Sequence, residues 1–406
     1  MTRTLTFSDT MNAPATRAVF AALEARGGKG CVRFVGGCVR NLLLGVPVSD
    51  LDLSTQLLPD ETEAALAAAE IRSVPTGKAY GTITAVVDGT PFEITSLRED
   101  VETDGRRAVV KYTDDWAKDA QRRDFYVNAL YADIEGTVYD PTGLGLEDIA
   151  ARRVRFIGEA EQRIREDYLR ILRFFRFSAG YGQGLDQASL AACLQLKDGI
   201  DGLSSERIWG ETYKTLLIDD PARAFEPMLA GGVLPHLIPG WQMDRNTLPE
   251  LAAMARMAVD PYLRLMALID AGIGLDKAVV LRLQDRMRFS RVVETRLITT
   301  GQVVGLIGDV ATPDDLLRLM YRFGRESVVD ATYLAAAHGG KAPETLLECM
   351  ARWDIPVFPL KGADLIARGM TPGPEVGQRL KQIETEWLNH DFSQSVIDRA
   401  LDALAK

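Results

Sequence analysis

Three histidines and four cysteines in 406 residues leave little material for several common chemistries. Cys31, Cys38, Cys193 and Cys349 are scattered, with no Cys-x-x-Cys spacing, so neither a zinc site nor a disulfide framework is indicated. They are expected to be small buried hydrophobes. His390-Asp391 matches the two letters of an HD metal phosphohydrolase, but the further histidines such a site requires are missing. No apolar run reaches the ~20 residues that span a bilayer, and Met-Thr-Arg-Thr-Leu-Thr lacks the apolar core of a signal peptide. A cytoplasmic protein with no membrane partner is expected. Gly-Lys-Ser/Thr is absent, which excludes a P-loop, and Gly-x-Gly-x-x-Gly is absent, which excludes a Rossmann fingerprint. There is no fixed-period repeat and no low-complexity tract.

What is present is a long chain with a change of character part-way. Its length implies two or more domains. Residues 1–12 carry no periodic pattern and read as a loose leader, and 13–26 have helical spacing that stops at Gly27-Gly28. Strands are expected at 32–35, 51–53, 82–87 and 92–95, with helices at 38–44 and 59–69, giving a mixed α+β head. From about Asp148 onward strand signals nearly vanish and Leu, Ala and Arg recur at helical spacing. Clusters of proline and glycine at 235–249 and 356–374 divide this helical remainder. The formal net charge of −10 argues against indiscriminate coating of nucleic acid, though it says little about one groove. Arginines at 152, 153, 155, 163, 165, 170, 173 and 176 suit either a phosphate-contacting surface or a solvated face laced with ion pairs.

Chemistry concentrates first at 34–53. Gly36-Gly37 follows an apolar strand and opens a short helix, where backbone N–H groups and the helix dipole favour an anion. Asp50 and Asp52 then alternate with Leu51 and Leu53, which points both carboxylates to one face and both leucines to a core. A phosphate cradle and a pair of acids able to hold divalent metal ions thus face each other across one strand–helix–strand unit. Glu93, alternating with Phe92 and Ile94, is the candidate third acid; alternation alone also fits an exposed strand glutamate. Residues 98–116 are polar, include Asp104-Gly105, and are long for a plain loop, which fits a segment that closes over a substrate. Arg123 and Asp124, in Arg122-Arg123-Asp124-Phe125, suit phosphate and ribose contacts, with a surface ion-pair cluster as the alternative. A continuous helix is expected over 164–177, burying Ile164, Tyr168, Leu172 and Phe175. One turn apart on its other face, Asp167 and Arg170 offer an acceptor beside a donor. Cytosine and adenine both present an amino donor beside a ring acceptor, so this pair suits C and A and mismatches uracil. A plain intrahelical ion pair fits the spacing equally.

Gly36-Gly37-Cys38-Val39-Arg40, Asp50-Leu51-Asp52, Arg122-Arg123-Asp124-Phe125 with Asn128-Ala129, Asp140-Pro141 with Gly143, and Glu166-Asp167-Tyr168-Leu169-Arg170 with Leu172-Arg173 occur in the order of one family. The chain resembles the bacterial class II tRNA nucleotidyltransferase and poly(A) polymerase family. Ser205-Glu206-Arg207 fits the next motif, and Pro359-Leu360-Lys361-Gly362 with Pro372-Gly373-Pro374 resembles the C-terminal part.

The resemblance implies a polymerase-β-like head followed by all-α neck, body and tail. It places a leader and helix at 1–28, the head at 29–147, the neck at 148–220, the body at 221–355 and an RNA-binding tail at 356–406. By position, Asp50 and Asp52 would bind catalytic Mg2+ with Glu93 assisting, and Gly36, Gly37 and Arg40 would serve the triphosphate. Arg123 and Asp124 would serve the ribose and Asp167 with Arg170 the base. Asn128 and Arg173 join the nucleotide-binding set. The implied activity is template-independent addition of CCA from CTP and ATP to the tRNA acceptor end, with no obligate protein partner. Poly(A) synthesis, or addition of only CC or only A, is the nearest rival. Arg153-Val154-Arg155-Phe156-Ile157-Gly158 lacks the basic extension of the poly(A) branch. A non-catalytic RNA-binding protein is the rival of another class, opposed by the intact Asp50 and Asp52. Two positions depart from the family pattern: Asn41 stands for an aspartate and Tyr126 for a threonine.

Overall fold

The computed structural model describes residues 5, 7, 10–48, 50–101, 109–241, 248–308, 312–339 and 344–404. The chain divides into two compact units, Met1–Leu237 and Ile238–Lys406.

In the first unit, alternation of apolar and polar residues builds a sheet with one face buried under helices. Its strands are β1 (Val32–Val35), β2 (Asp52–Thr55), β3 (Arg72–Gly77), β4 (Thr82–Val87), β5 (Thr90–Ser96), β8 (Tyr131–Ala132) and β9 (Val138–Tyr139), in the spatial order β3-β4-β5-β2-β1-β8-β9. β2 and β5 run parallel and the other neighbours antiparallel. α1 (Pro14–Gly27) and α3 (Pro59–Ala68) pack together against this sheet, and Phe20 of α1 meets Phe34 of β1 with ring centroids 4.8 Å apart. On the other face Val35 and Tyr131 cluster with Ala120 of α4 (Trp116–Gln121) and with Ile157. α2 (Gly37–Leu44) leaves the end of β1. Among the described residues no strand follows β9. α5 (Gly145–Ala150), α6 (Ala160–Glu166), α7 (Leu169–Tyr181), α8 (Gln187–Gln195) and α9 (Ser205–Leu216) continue the first unit.

The second unit is helical from Pro249–Met257 to Gln394–Asp402. It has one core around Val303, Met320, Val328 and Met350 and another around Leu365, Ile383, Trp387 and Ile397. No helix among the described residues is long and apolar enough to cross a membrane.

Several expectations are corrected. The leader is not all loose: Phe7 packs edge-on to Phe34 at 5.2 Å, Met11 is buried, and the Leu5 N–H donates to the Gly136 carbonyl at 2.8 Å. Residues 98–116, which carried no strand expectation, contain a strand pair, β6 (Arg98–Val101) antiparallel to β7 (Val109–Tyr112), before α4 begins. Asp104-Gly105 lies outside the described residues. Strands β3, β8 and β9 were not expected. The helix expected over 164–177 is broken: α6 ends at Glu166, Asp167 is extended (φ −159°, ψ 103°), and α7 begins at Leu169. Asp167 causes the break by accepting the Leu169 N–H on Oδ1 at 3.1 Å, a side-chain bond that competes with helix continuation. Of the expected stripe, Ile164, Leu172 and Phe175 are buried and Tyr168 half-buried. Cys31, Cys38 and Cys193 are buried, but Cys349 is exposed.

This junction leaves no room at Gly199, where an added Cβ would stand 2.0 Å from the Tyr168 ring. Gly199→Ala should destabilise the protein by about 1–3 kcal/mol through overpacking. Gly210→Ala, inside α9 with nothing within 4 Å of its Cβ, should be neutral or slightly stabilising. Urea midpoints of the two variants check the contrast.

Candidate active site

The turn from β1 into α2 passes through Gly36 at φ +68°, ψ −118°, a conformation that L side chains avoid. A Cβ there would make only ordinary contact, 3.8 Å from Arg123 Nη1 and the Asn128 carbonyl oxygen, so the backbone conformation rather than space calls for glycine. The first-turn N–H groups of α2, at Gly37, Cys38 and Val39, have no intrahelical acceptors and form an anion-favouring end.

Asp52 opens β2, and the parallel ladder sets it directly opposite Glu93 on β5. Asp50 lies two residues before, outside the strand. Partial burial, then Glu93 and Asp50, push the Asp52 carboxyl up from its ordinary value, while Arg123 opposes them. Among the described residues no three acid, histidine or cysteine side chains form a complete cation cage. The donor set nevertheless fits a hard divalent cation, since Mg2+ is commonly held by one or two carboxylates together with substrate phosphates. Positive charge would also relieve the crowding of acids around Asp52.

Arg123 is fixed by a residue that sequence reasoning missed. Asp119, fully buried on α4, accepts from Arg123 Nη2 at 3.0 Å, Arg122 Nη2 at 2.7 Å, the Tyr131 hydroxyl at 2.7 Å and the Arg98 N–H at 3.3 Å. Burial alone would raise its carboxyl; Arg123, Arg122 and the Tyr131 hydroxyl outweigh that and hold it at about 2. The available signal was spacing, because Asp119 precedes Arg122 and Arg123 by three and four residues across the end of one short helix. Arg123 Nη2 also reaches Ser54 Oγ at 3.3 Å, which carries the guanidinium onto β2 beside the acids.

Arg40 is buried and faces inward. Its Nη1 donates to Asn128 Oδ1 at 2.6 Å, and its Nη2 donates to Asn41 Oδ1 at 2.8 Å and the Tyr181 hydroxyl at 2.9 Å. Asn128 Nδ2 in turn donates to Asp124 Oδ1 at 3.1 Å. Asp124 Oδ1 also accepts the Phe125 N–H, and Oδ2 accepts Arg173 Nε at 2.8 Å, so both carboxylate oxygens have protein partners. Burial would raise Asp124; Arg173, Asn128 and the Phe125 N–H together lower it. Arg173 continues to Glu211 at 3.5 Å, which also takes Arg176 at 2.8 Å.

Asp167 and Arg170 do not pair side chain to side chain. Asp167 Oδ2 accepts from Arg207 Nη2 at 2.7 Å. Arg170 Nη1 donates to the Arg163 carbonyl at 2.8 Å and to Glu166 Oε2 at 2.7 Å, and its Nη2 donates to the Arg122 carbonyl at 3.2 Å. That last bond ties Arg170 to the strip carrying Arg123 and Asp124. Glycine turn, acids, Arg123, the Arg40–Asn128–Asp124–Arg173 chain and the Asp167–Arg170 junction therefore form one connected region of the first unit.

Residues 32–155 match the family model described as "Poly A polymerase head domain", and residues 184–244 match "Probable RNA and SrmB- binding site of polymerase A". The chain is 33% identical over 380 residues to "CCA tRNA nucleotidyltransferase 1, mitochondrial" of Mus musculus, covering 88% of this chain and 82% of that protein. It is 33% identical over 375 residues to the Homo sapiens protein of the same description, with coverage of 88% and 82%. The chain belongs to the CCA tRNA nucleotidyltransferase family. The crystal structure of Bacillus stearothermophilus CCA-adding enzyme in complex with CTP superposes with a TM-score of 0.77 at 26% identity, over 95% of this chain and 98% of that one.

Within this nucleotidyltransferase, the two departures from the family pattern acquire partners. Asn41 Oδ1 accepts from Arg40, as a carboxylate would, while its Nδ2 donates to the Pro47 carbonyl at 3.1 Å, as a carboxylate cannot. The Tyr126 hydroxyl accepts the Gly158 N–H at 3.2 Å, and Arg155 stands 5.2 Å from its ring centroid.

Asp119 gives a pH signature. Its folded value of about 2 lies below the ordinary 3.8, so its stabilising contribution is complete above the ordinary value and is lost as pH falls through the folded one. The wild type should exceed Asp119→Asn by about 2 kcal/mol at neutral pH, with the gap closing between about pH 4 and pH 2. Urea unfolding of both proteins across that range checks it.

Proposed function

We propose that this metal-dependent nucleotidyltransferase completes tRNA by adding CCA to the 3′ end from CTP and ATP, without a nucleic-acid template. The observation that carries the proposal is the convergence on one face of the first unit of Asp52 with Glu93, the Gly36-Gly37 turn and Arg123.

The RNA 3′-hydroxyl oxygen forms a new bond to the α-phosphorus of the nucleotide, the bond to the α,β-bridging oxygen breaks, and pyrophosphate departs. Asp50 and Asp52, with Glu93 beside them, would hold Mg2+. When bound, that cation lowers the cost of deprotonating the 3′-hydroxyl and neutralises the departing pyrophosphate. The first-turn N–H groups after Gly36 cradle the phosphates, and Arg123, held by Asp119, Tyr131 and Ser54, supplies fixed positive charge. Asp124 and Asn128 position the ribose side of the site through Arg173 and Arg40 rather than by free atoms of their own.

At the base, Asp167 offers the acceptor and Arg170 the donor. Arg170 donates to the Arg163 and Arg122 carbonyls and to Glu166, bonds that hold its guanidinium beside Asp167 to donate to a base as well. Further domains are proposed as a body at 221–355 and an RNA-binding tail at 356–406, and the proposed compartment is the cytoplasm.

Transcripts lacking all three terminal nucleotides, lacking only the last, or complete, offered CTP and ATP singly and together, test the activity by product length. Completion to CCA and no further is expected; long A tails would indicate a poly(A) polymerase, and no product a binding protein. Asp50→Ala and Asp52→Ala should each lower turnover by at least about a thousandfold while leaving the fold intact. Chelation of divalent ions should silence the wild type, and Mg2+ should restore it. Near wild-type CTP incorporation by Asp52→Ala would remove that acid from the chemistry.

A further inference from the structure

Asp167 has a positional problem that its partner on α9 answers. It lies outside both flanking helices, in extended backbone, so no helical neighbours fix its rotamer, and its side chain is 29% exposed. Among the described residues, two groups hydrogen-bond to its carboxylate. The Leu169 N–H holds Oδ1 at 3.1 Å, and Arg207 Nη2 holds Oδ2 at 2.7 Å. The first bond alone permits rotation about the carboxyl axis; both together fix its plane. Arg207 comes from the first turn of α9, remote in sequence, and its own side chain is 47% exposed. So exposed an ion pair adds little to stability, which leaves orientation as its main physical consequence.

We propose that Arg207 is a positioning residue for base selection, acting through Asp167. Each ionised carboxylate oxygen has about two acceptor sites, so Oδ2 can keep Arg207 and still accept an amino hydrogen from an incoming C or A. Arg207 aims the remaining lone pair. Loss of Arg207 leaves the acid in place but unaimed, and a swinging carboxylate penalises the wrong base less while rewarding the right one less. This inference rests on the reading of Asp167 as the base acceptor.

The test uses the full-length protein with a tRNA transcript lacking its terminal nucleotides, measuring kcat and KM for CTP, ATP, UTP and GTP. Arg207→Ala should reduce the preference for CTP over UTP by about tenfold, mainly through a higher KM for CTP, with a thermal midpoint close to wild type. Arg207→Lys, which keeps the charge but not the planar fork, should restore part of the preference. In an Asp167→Ala background, Arg207→Ala should add no further loss, since both act through one contact. Wild-type selectivity in Arg207→Ala, or losses that add in the double variant, would overturn the role of Arg207. Unchanged selectivity in Asp167→Ala would instead overturn the reading of Asp167, so the two failures are distinguishable.

Discussion

The buried carboxylate of Asp124 is the constraint on which the rest of the site depends. A charge in that position is costly unless its oxygens are fully engaged, and they are: the Phe125 N–H and Asn128 Nδ2 share one, and Arg173 takes the other. Arg173 belongs to α7, whereas Asp124 and Asn128 belong to the strip entering β8. The ion pair therefore fastens the helix following the Asp167 junction onto the sheet that carries Asp52 and Glu93. Removing Arg173 would strand the buried Asp124 charge, so the attachment is stronger than the modest net value of a single hydrogen bond suggests.

Asn128 extends this attachment to α2 through Arg40. Its amide accepts from Arg40 and donates to Asp124, two demands that only one orientation of the group satisfies. Arg40 then reaches Tyr181 near the end of α7, with its guanidinium carbon 4.0 Å from that ring centroid. Helix α7 is thus pinned at Arg173 and again at Tyr181. The proposed base reader at its start and the glycine turn at the start of α2 share one polar framework. Placing reacting groups on strands and pinned helices limits the play between nucleotide base and α-phosphate.

What was legible in the sequence was whatever depends on short-range pattern. Alternation around Asp52 and around Glu93 predicted which residues share a face, and the register of β2 against β5 then set those two side by side. Gly36-Gly37 announced a turn into a helix. The break at Asp167 was not legible, because the apolar stripe runs on through it with neither proline nor glycine. Only a partner from α9, some forty residues away, together with the local cap on Leu169, reveals why the helix stops. Asp119 escaped for a related reason: a carboxylate shortly before two arginines reads as a surface ion pair until burial shows it to be the anchor of Arg123. Strands β8 and β9, each of two residues, are too short to carry a period.

The two departures from the family pattern follow the same logic of satisfaction rather than identity. At 41 the site needs an acceptor facing Arg40, and an amide oxygen supplies it as well as a carboxylate oxygen. Replacing the charge removes one negative group from beside a buried arginine, and burial lowers Arg40 from its ordinary value. Tyr181 and the more distant Asp124 oppose that lowering, while Arg176 adds to it. The bond from Asn41 to Pro47 then fixes the chain leading from α2 toward Asp50, a role closed to aspartate. At 126 the hydroxyl has moved to the end of a ring, where it meets Gly158 at the approach to α6. Each residue reaches a neighbouring stretch of backbone, Asn41 at Pro47 and Tyr126 at Gly158. They alter how the surrounding framework is braced.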